Sequence, residues 1–100
     1  MTYIVKSNNV LEKTIIFISM IKFKKSVPEV MESGKQIMNN LPSCIKMIGT
    51  YWTLGKFDAV WIYETPSEKD AMKLGIFASS VMKFQTMTAV SREDAMKLLD

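Results

Sequence analysis

The stretch that decides the fold runs from Tyr51 to Tyr63, YWTLGKFDAVWIY. Two apolar, aromatic runs stand on either side of a short interval that contains Gly55 and Lys56. Such runs predict two strands, over residues 44–53 and 57–64, and a glycine at the first central position of a two-residue turn is the type II′ signal. The sequence therefore predicts a β-hairpin with a two-residue turn.

Asp58 follows this turn, so it is either a catalytic acid or a part of the turn. In a two-residue hairpin it lies across from Thr53, or its carboxylate accepts hydrogen bonds from N–H groups of the turn. The ionisable neighbours Lys56 and Glu64 form no clear acid–base pair with it. We therefore predict a structural role for Asp58. The alternative, a place beside Tyr51 and Lys56 at the mouth of a pocket, stays open.

The flanking sequence supplies two more strands and three helices. TIIFISMIKF, residues 14–23, predicts a strand that is apolar on both faces, and residues 82–90 alternate as a fourth strand should. Ser26, Ser67 and Ser91 each stand three residues before an acidic residue, the spacing of a capping box, and helical periodicity follows each of them. The apolar positions predicted for the helices are Val27, Val30, Met31, Gly34, Ile37, Met38 and Leu41, then Ala71, Met72, Leu74, Gly75 and Ala78, then Ala95, Met96, Leu98 and Leu99.

The order β-α-β-β-α-β, followed by a short C-terminal helix, is typical of an α+β, ferredoxin-like domain. We predict this domain over residues 14–100, with a four-stranded antiparallel sheet in the order 4-1-3-2. Residues 1–13 are predicted to be an N-terminal appendage, in which YIV (residues 3–5) can pair as a short edge strand and residues 6–9 form a turn.

Both faces of the two central predicted strands are apolar, but two helices cover only one face. The aliphatic face consists of Ile16, Ile18, Met20, Val60 and Ile62. The aromatic face is led by Phe17, Phe57, Trp61 and Tyr63. We expect the helices to cover the aliphatic face. We expect a second copy of the chain to cover the aromatic face, because a large exposed apolar patch favours association. The alternative is that the N-terminal segment or the last helix folds over it.

Composition excludes several classes of site. The chain has no histidine and one cysteine, Cys44, which excludes histidine-dependent triads, histidine-ligated metals and haem. We expect no metal and no cofactor. No apolar run reaches the roughly 18–20 residues of a membrane span and no signal peptide is visible, so we expect a cytoplasmic location and no membrane partner. The net charge of +3 is mild, and we expect no nucleic-acid partner.

The motif GKFD, residues 55–58, lies within YWTLGKFDAVWIYETPSEKDAMKL and resembles the signature of the GYD domain family; FISMIKF resembles that family's first strand. The resemblance implies a ferredoxin-like fold that pairs as a dimeric α+β barrel. The motif's tyrosine is Phe57 in this chain, so any role of that hydroxyl group is lost. The hairpin is also similar to that of the effector-binding domains of leucine-responsive regulators, which share the fold and bind small molecules between protomers.

Three functions are compatible with these patterns. The first is a non-enzymatic homodimer that binds a small apolar or amphipathic ligand between protomers, with no catalytic residues. Its ligand or interface candidates are Phe17, Tyr51, Trp52, Phe57, Asp58, Trp61 and Tyr63, with Gly55 and Lys56 in the turn motif. The second is a cofactor-independent enzyme, monooxygenase- or isomerase-like, that uses Tyr51, Asp58, Tyr63 and Cys44. The third is RNA binding on the sheet, although the basic-glycine-aromatic signature of RNA-recognition motifs is absent.

Overall fold

The computed structural model describes residues 2–5 and 11–99. Along these residues the strands and helices follow one another in the order β1 (Thr2–Val5), β2 (Leu11–Phe23), α1 (Val27–Asn39), β3 (Lys46–Trp52), β4 (Ala59–Thr65), α2 (Glu68–Ala78), β5 (Met82–Ala89) and α3 (Arg92–Lys97). The predicted α+β fold class is confirmed.

The sheet is antiparallel throughout the described strands. β2 pairs with β4 on one side and with β5 on the other, and β3 pairs with β4. The core order is therefore β3-β4-β2-β5, which is the predicted order 4-1-3-2 in reverse. The two strands predicted to be central, β2 and β4, are indeed the inner pair.

The first core strand begins at Leu11, three residues before the predicted start at Thr14. Its first four residues pair antiparallel with Thr2–Val5. The predicted short edge strand is thus confirmed, while the turn predicted over residues 6–9 lies outside the described residues.

The helices pack on the aromatic face of the sheet, so the predicted assignment of faces is wrong. Phe17, Trp61 and Tyr63 are each at most 5% exposed and share one core cluster with Val30 of α1 and Leu74 of α2. The aliphatic residues Ile16, Ile18, Met20, Val60 and Ile62 are only half-buried and point to the opposite side.

The physical reason for this choice lies in the inner face of α2, where the small residues Ala71, Gly75 and Ala78 accompany a single large one, Leu74. Small residues on a helix leave depth that bulky rings must fill if the core is to reach native packing density. Phe84 takes this space: a Cβ built on Gly75 would lie 3.7 Å from its ring. Phe84 in turn meets Trp61 edge to face, with ring centroids 5.4 Å apart. Aliphatic residues would fill that space less completely.

Several residues predicted to lie on the apolar faces of helices are exposed. Met72 is 66% exposed on α2, and Leu98 and Leu99 are 80% and 86% exposed at the end of α3. Val27 and Met31 of α1 are also exposed. Helical periodicity located the helices, but spacing does not tell which apolar positions lie over the edge of the sheet.

The capping boxes are realised differently at the three helix starts. Ser91 accepts a hydrogen bond from the Asp94 N–H at 3.0 Å, as a capping serine does. The hydroxyls of Ser26 and Ser67 instead donate to the carboxylates of Glu29 and Asp70, each at 3.0 Å, and make no side-chain bond to the backbone. The predicted starts of all three helices are confirmed, but only α3 has the predicted hydrogen bond from the backbone to its capping serine.

The connection between β3 and β4 is longer than the predicted two-residue turn. Strand pairing ends at Trp52 and Ala59, and the six residues 53–58 form the loop. Gly55 has a φ of +103°, so the prediction that this position needs glycine for its backbone shape is confirmed.

Gly55 and Gly34 should respond in opposite directions to alanine. A Cβ at either glycine meets no atom within 4 Å, so space does not distinguish them. Gly55→Ala should lower the free energy of unfolding by about 1–2 kcal/mol, because its φ is unfavourable for an L-residue. Gly34→Ala, in the interior of α1, should raise it by about 0.5–1 kcal/mol. Urea unfolding of both variants measures this, and equal shifts in the same direction would contradict it.

Candidate functional site

The GKFD loop is bonded to the end of the central strand β2. The Asp58 N–H donates to the carbonyl of Ile21 at 2.8 Å, and the Lys22 ammonium donates to the carbonyl of Lys56 at 2.6 Å. Within the loop, the Thr53 N–H donates to the Asp58 carbonyl at 2.9 Å and the Thr53 hydroxyl to the Phe57 carbonyl at 2.7 Å. The first two bonds fix the loop to β2, and the two Thr53 bonds close the loop internally.

The Asp58 carboxylate completes this attachment. Its Oδ2 accepts a hydrogen bond from the backbone N–H of Phe23 at 2.8 Å. Strand β4 no longer pairs with β2 at this point, because its register with β2 ends at Ala59. One of the two predicted arrangements had the Asp58 carboxylate accept hydrogen bonds from N–H groups of the turn. The carboxylate does accept from a backbone N–H, but the donor, Phe23, lies in β2 and not in the turn. The Asp58 carboxylate therefore accepts the hydrogen bond that a backbone carbonyl of a paired strand would otherwise accept.

The aromatic candidates do not form one site. Phe17, Trp61 and Tyr63 lie in the core under the helices, and the Phe17 and Tyr63 rings stack with centroids 5.8 Å apart. Trp52 is 60% exposed and rests edge-on against Phe23, 5.4 Å between centroids. Tyr51 is 58% exposed and pairs with Val60, on the face away from the helices. Phe57 stays in the loop, with the Lys56 ammonium 5.6 Å from its ring centroid.

The face of the sheet that no described helix covers is aliphatic, and we call it the open face. Its centre is Ile18, which lies opposite Ile62 on one side and Met87 on the other. The open face consists of Ile16, Ile18, Met20, Val60, Ile62 and Met87, with Tyr51 at its border. The Tyr51 ring lies over Gly49, where an added Cβ would stand 2.7 Å from the ring.

Cys44 belongs to a small polar cluster at the start of α2. The Asp70 carboxylate accepts hydrogen bonds from the hydroxyls of Ser67 at 3.0 Å and Thr65 at 3.2 Å, and the Cys44 thiol bonds to it as well. The Ser67 bond is the main reason why the pKa of Asp70 is lowered. Burial, and then the negative charge of Asp70, raise the pKa of the Cys44 thiol. The thiol is therefore a poor nucleophile at neutral pH.

A family model for the GYD domain matches residues 19–99, which span β2 to α3 and include the GKFD loop. The chain belongs to the GYD domain family. The resemblance inferred from GKFD is thereby confirmed. No curated protein matches the chain.

The GYD domain has an open groove between α2 and β5, with a volume of about 770 Å³. Its walls are mainly apolar, and Phe17, Met72, Ile76 and Phe84 contribute to them. Thr86 also lines the groove, and its hydroxyl is 2.8 Å from the hydroxyl of Ser19. Ser19 is fully buried, and its hydroxyl is also 2.8 Å from that of the fully buried Tyr63.

Sequence reasoning did not single out Ser19 or Thr86. A signal was present, because Ser19 is the one polar residue within the apolar run IIFISMI, and a buried hydroxyl needs a partner. Its partners, Tyr63 and Thr86, could not be named without the register that pairs Phe17 with Tyr63 and Ser19 with Thr86.

Two observations limit the chemistry of the described residues. Across residues 2–5 and 11–99, no three Cys, Asp or Glu side chains are grouped so that they could hold a metal ion. The expected absence of metals and cofactors stays a prediction. None of the helices in these ranges combines the length and the apolar composition needed to cross a membrane.

Removing the Asp58 carboxylate should destabilise the domain more than neutralising it. Asp58→Ala leaves the Phe23 N–H without its acceptor and should lower the free energy of unfolding by about 1–3 kcal/mol. Asp58→Asn retains an acceptor oxygen and should cost less than half as much. Chemical denaturation measures both variants. Equal losses in the two would contradict the role assigned to this bond.

Cys44 should react slowly with iodoacetamide. At pH 8 its rate should lie well below that of an unstructured cysteine peptide, since its raised pKa keeps the thiol protonated. Asp70→Asn removes the charge contribution but not the burial, so it should raise the rate only in part. A wild-type rate equal to that of the peptide would contradict this account of the cluster.

Proposed function

We propose that this GYD domain is a non-enzymatic homodimeric module that binds a small apolar or amphipathic molecule. Two copies pair through their open faces, so that the two sheets enclose a common apolar layer and the helices lie outside. The observation that carries the proposal is the open face itself, an aliphatic patch on the two central strands that no described helix covers.

Burial of the open face supplies the free energy for pairing. Complete burial of one large aliphatic side chain is worth about 1.5–3 kcal/mol, and the half-buried residues of the open face retain part of that gain for association. A two-fold axis places the same patch on both partners, so the surface is complementary to itself. The sequence placed this interface on the aromatic face, but the helices cover that face, so the interface proposed here lies on the opposite, aliphatic face of the sheet.

The separation of the ionisable candidates supports a role without catalysis. Tyr51 lies on the open face, whereas the Tyr63 hydroxyl is buried beneath the helices. Asp58 lies just before the first residue of β4, whereas Cys44 contacts Asp70 at the other end of that strand. A strand of seven residues spans roughly 20 Å, so these two groups cannot act on one substrate atom.

The groove between α2 and β5 supports the binding part of the proposal. Its volume of about 770 Å³ lies in the range of roughly 300–1,000 Å³ that small-molecule sites have. Apolar walls with few polar groups are the usual composition of such sites. The methionines Met72 and Met82 line it and can adapt to the outline of a ligand.

A charge at the centre of the open face should separate the dimer. Ile18→Lys should give a folded monomer, because the ammonium group would lose its water at the interface. Sedimentation velocity measures the mass, and circular dichroism checks the fold. Phe77→Lys is the matched control: Phe77 is 62% exposed on α2, in the helix layer, and the variant should remain a dimer.

A wild-type chain that sediments as a monomer at micromolar concentration would contradict the proposed dimer, as would an Ile18→Lys variant that remains dimeric. Trp61→Lys is unsuitable for this test. Trp61 is 5% exposed in the core, so a lysine there would unfold the domain whatever its oligomeric state.

A further inference from the structure

Three hydroxyl groups form a chain that leads from the core to the groove between α2 and β5. Tyr63 Oη lies 2.8 Å from Ser19 Oγ, and Ser19 Oγ lies 2.8 Å from Thr86 Oγ1. Tyr63 and Ser19 have no exposed surface, while Thr86 is exposed and lines the groove. Among the described residues, none of the three hydroxyls has a further side-chain or backbone partner.

The direction of these hydrogen bonds follows from counting hydrogens. Three hydroxyls carry three hydrogens, and the two contacts use two of them. If Thr86 donated to Ser19, the hydrogen of either Ser19 or Tyr63 would be left unpaired in the core, where that is costly. Only the direction Tyr63 to Ser19 to Thr86 avoids this cost. The remaining hydrogen is then that of Thr86, at the surface of the groove.

The groove therefore presents a neutral hydrogen-bond donor among apolar walls. Its charged lining residues, Lys24, Lys83 and Glu68, are all exposed, and the Lys24 ammonium already donates to the Ser79 carbonyl at 2.8 Å. A charged head group placed against the apolar walls would lose hydration that exposed, solvent-screened side chains such as these repay only in part. A neutral oxygen that accepts one hydrogen bond meets the Thr86 hydroxyl without that cost.

We propose that the groove binds a neutral, mainly apolar compound that carries a carbonyl oxygen, and that Thr86 donates a hydrogen bond to this oxygen. The inference rests on the binding part of the proposed function and not on the dimer. It also moves the ligand from the space between protomers to the helix side of each sheet.

The test compares 1-tetralone with tetralin, which has the same ring system without the carbonyl oxygen. Chemical shifts of the methionine methyl groups, recorded during titration of the full chain by NMR, give both dissociation constants and report on Met72 and Met82 in the groove. Wild-type protein should bind 1-tetralone about three- to tenfold more tightly than tetralin, the range expected for one neutral hydrogen bond.

Variants at two positions isolate the hydroxyl. Thr86→Val should remove the preference for 1-tetralone and leave the affinity for tetralin within about twofold, whereas Thr86→Ser should keep the preference. Thr88→Val is the matched control, since Thr88 lies two residues along the same strand and lines the groove, but makes no bond to the hydroxyl chain. It should bind both compounds as the wild type does. Thermal melts confirm that the variants are folded.

The outcomes distinguish this inference from the function on which it rests. Equal affinity of the wild type for the two compounds, or an unchanged preference in Thr86→Val, would overturn the role of Thr86 while the groove remained a ligand site. The absence of saturable binding of either compound, as expected if a second copy of the chain fills the groove, would overturn both the inference and the binding part of the proposed function. Sedimentation tests the dimer independently.

Discussion

One constraint governs this structure: a sheet with two apolar faces has one layer of helices. Which face the helices cover is decided by size complementarity. Beside Leu74, α2 offers the small residues Ala71, Gly75 and Ala78, and the aromatic side chains of the sheet fill the depth that these residues leave. The choice places Trp61 and Tyr63 in the core, leaves the aliphatic residues around Ile18 on the open face, and sets the groove beside Phe84.

Polar groups within this packing are satisfied by partners distant in sequence. Asp58 reaches back to Phe23, 35 residues earlier, and so holds the loop and the central strand together where β4 departs from β2. Ser19 bonds to Tyr63 and Thr86, on the two neighbours of β2. An unpaired buried polar group costs about 1–3 kcal/mol, so these side chains favour one register of β4 and β5 on β2. Hydrophobic burial alone distinguishes such registers less sharply.

The sequence was sufficient to predict the elements, their order and the family, because each rests on local information. Period-two and helical patterns located the strands and helices, and Gly55 indicated a position that needs glycine. The face assignment failed because it depends on matching the volume of α2 to that of the sheet. The partners of Asp58 and Ser19 could not be predicted either, since a hydrogen bond across 35 or more residues requires the register of the strands. The exposed Leu98 and Leu99 show the same limit, because periodicity does not tell what a short terminal helix meets.

Strand β5 connects the two surfaces that the proposals use. Thr86 points to the groove, and the next residue, Met87, lies opposite Ile18 on the open face and also lines the groove. Among the described strands β5 pairs only with β2 along this stretch, so its far side is not held by a neighbouring strand. A partner sheet that covered Met87 would restrict β5 and with it one wall of the groove. Because linkage is reciprocal, a ligand that orders this wall would favour the dimer by the same free energy with which the dimer favours the ligand.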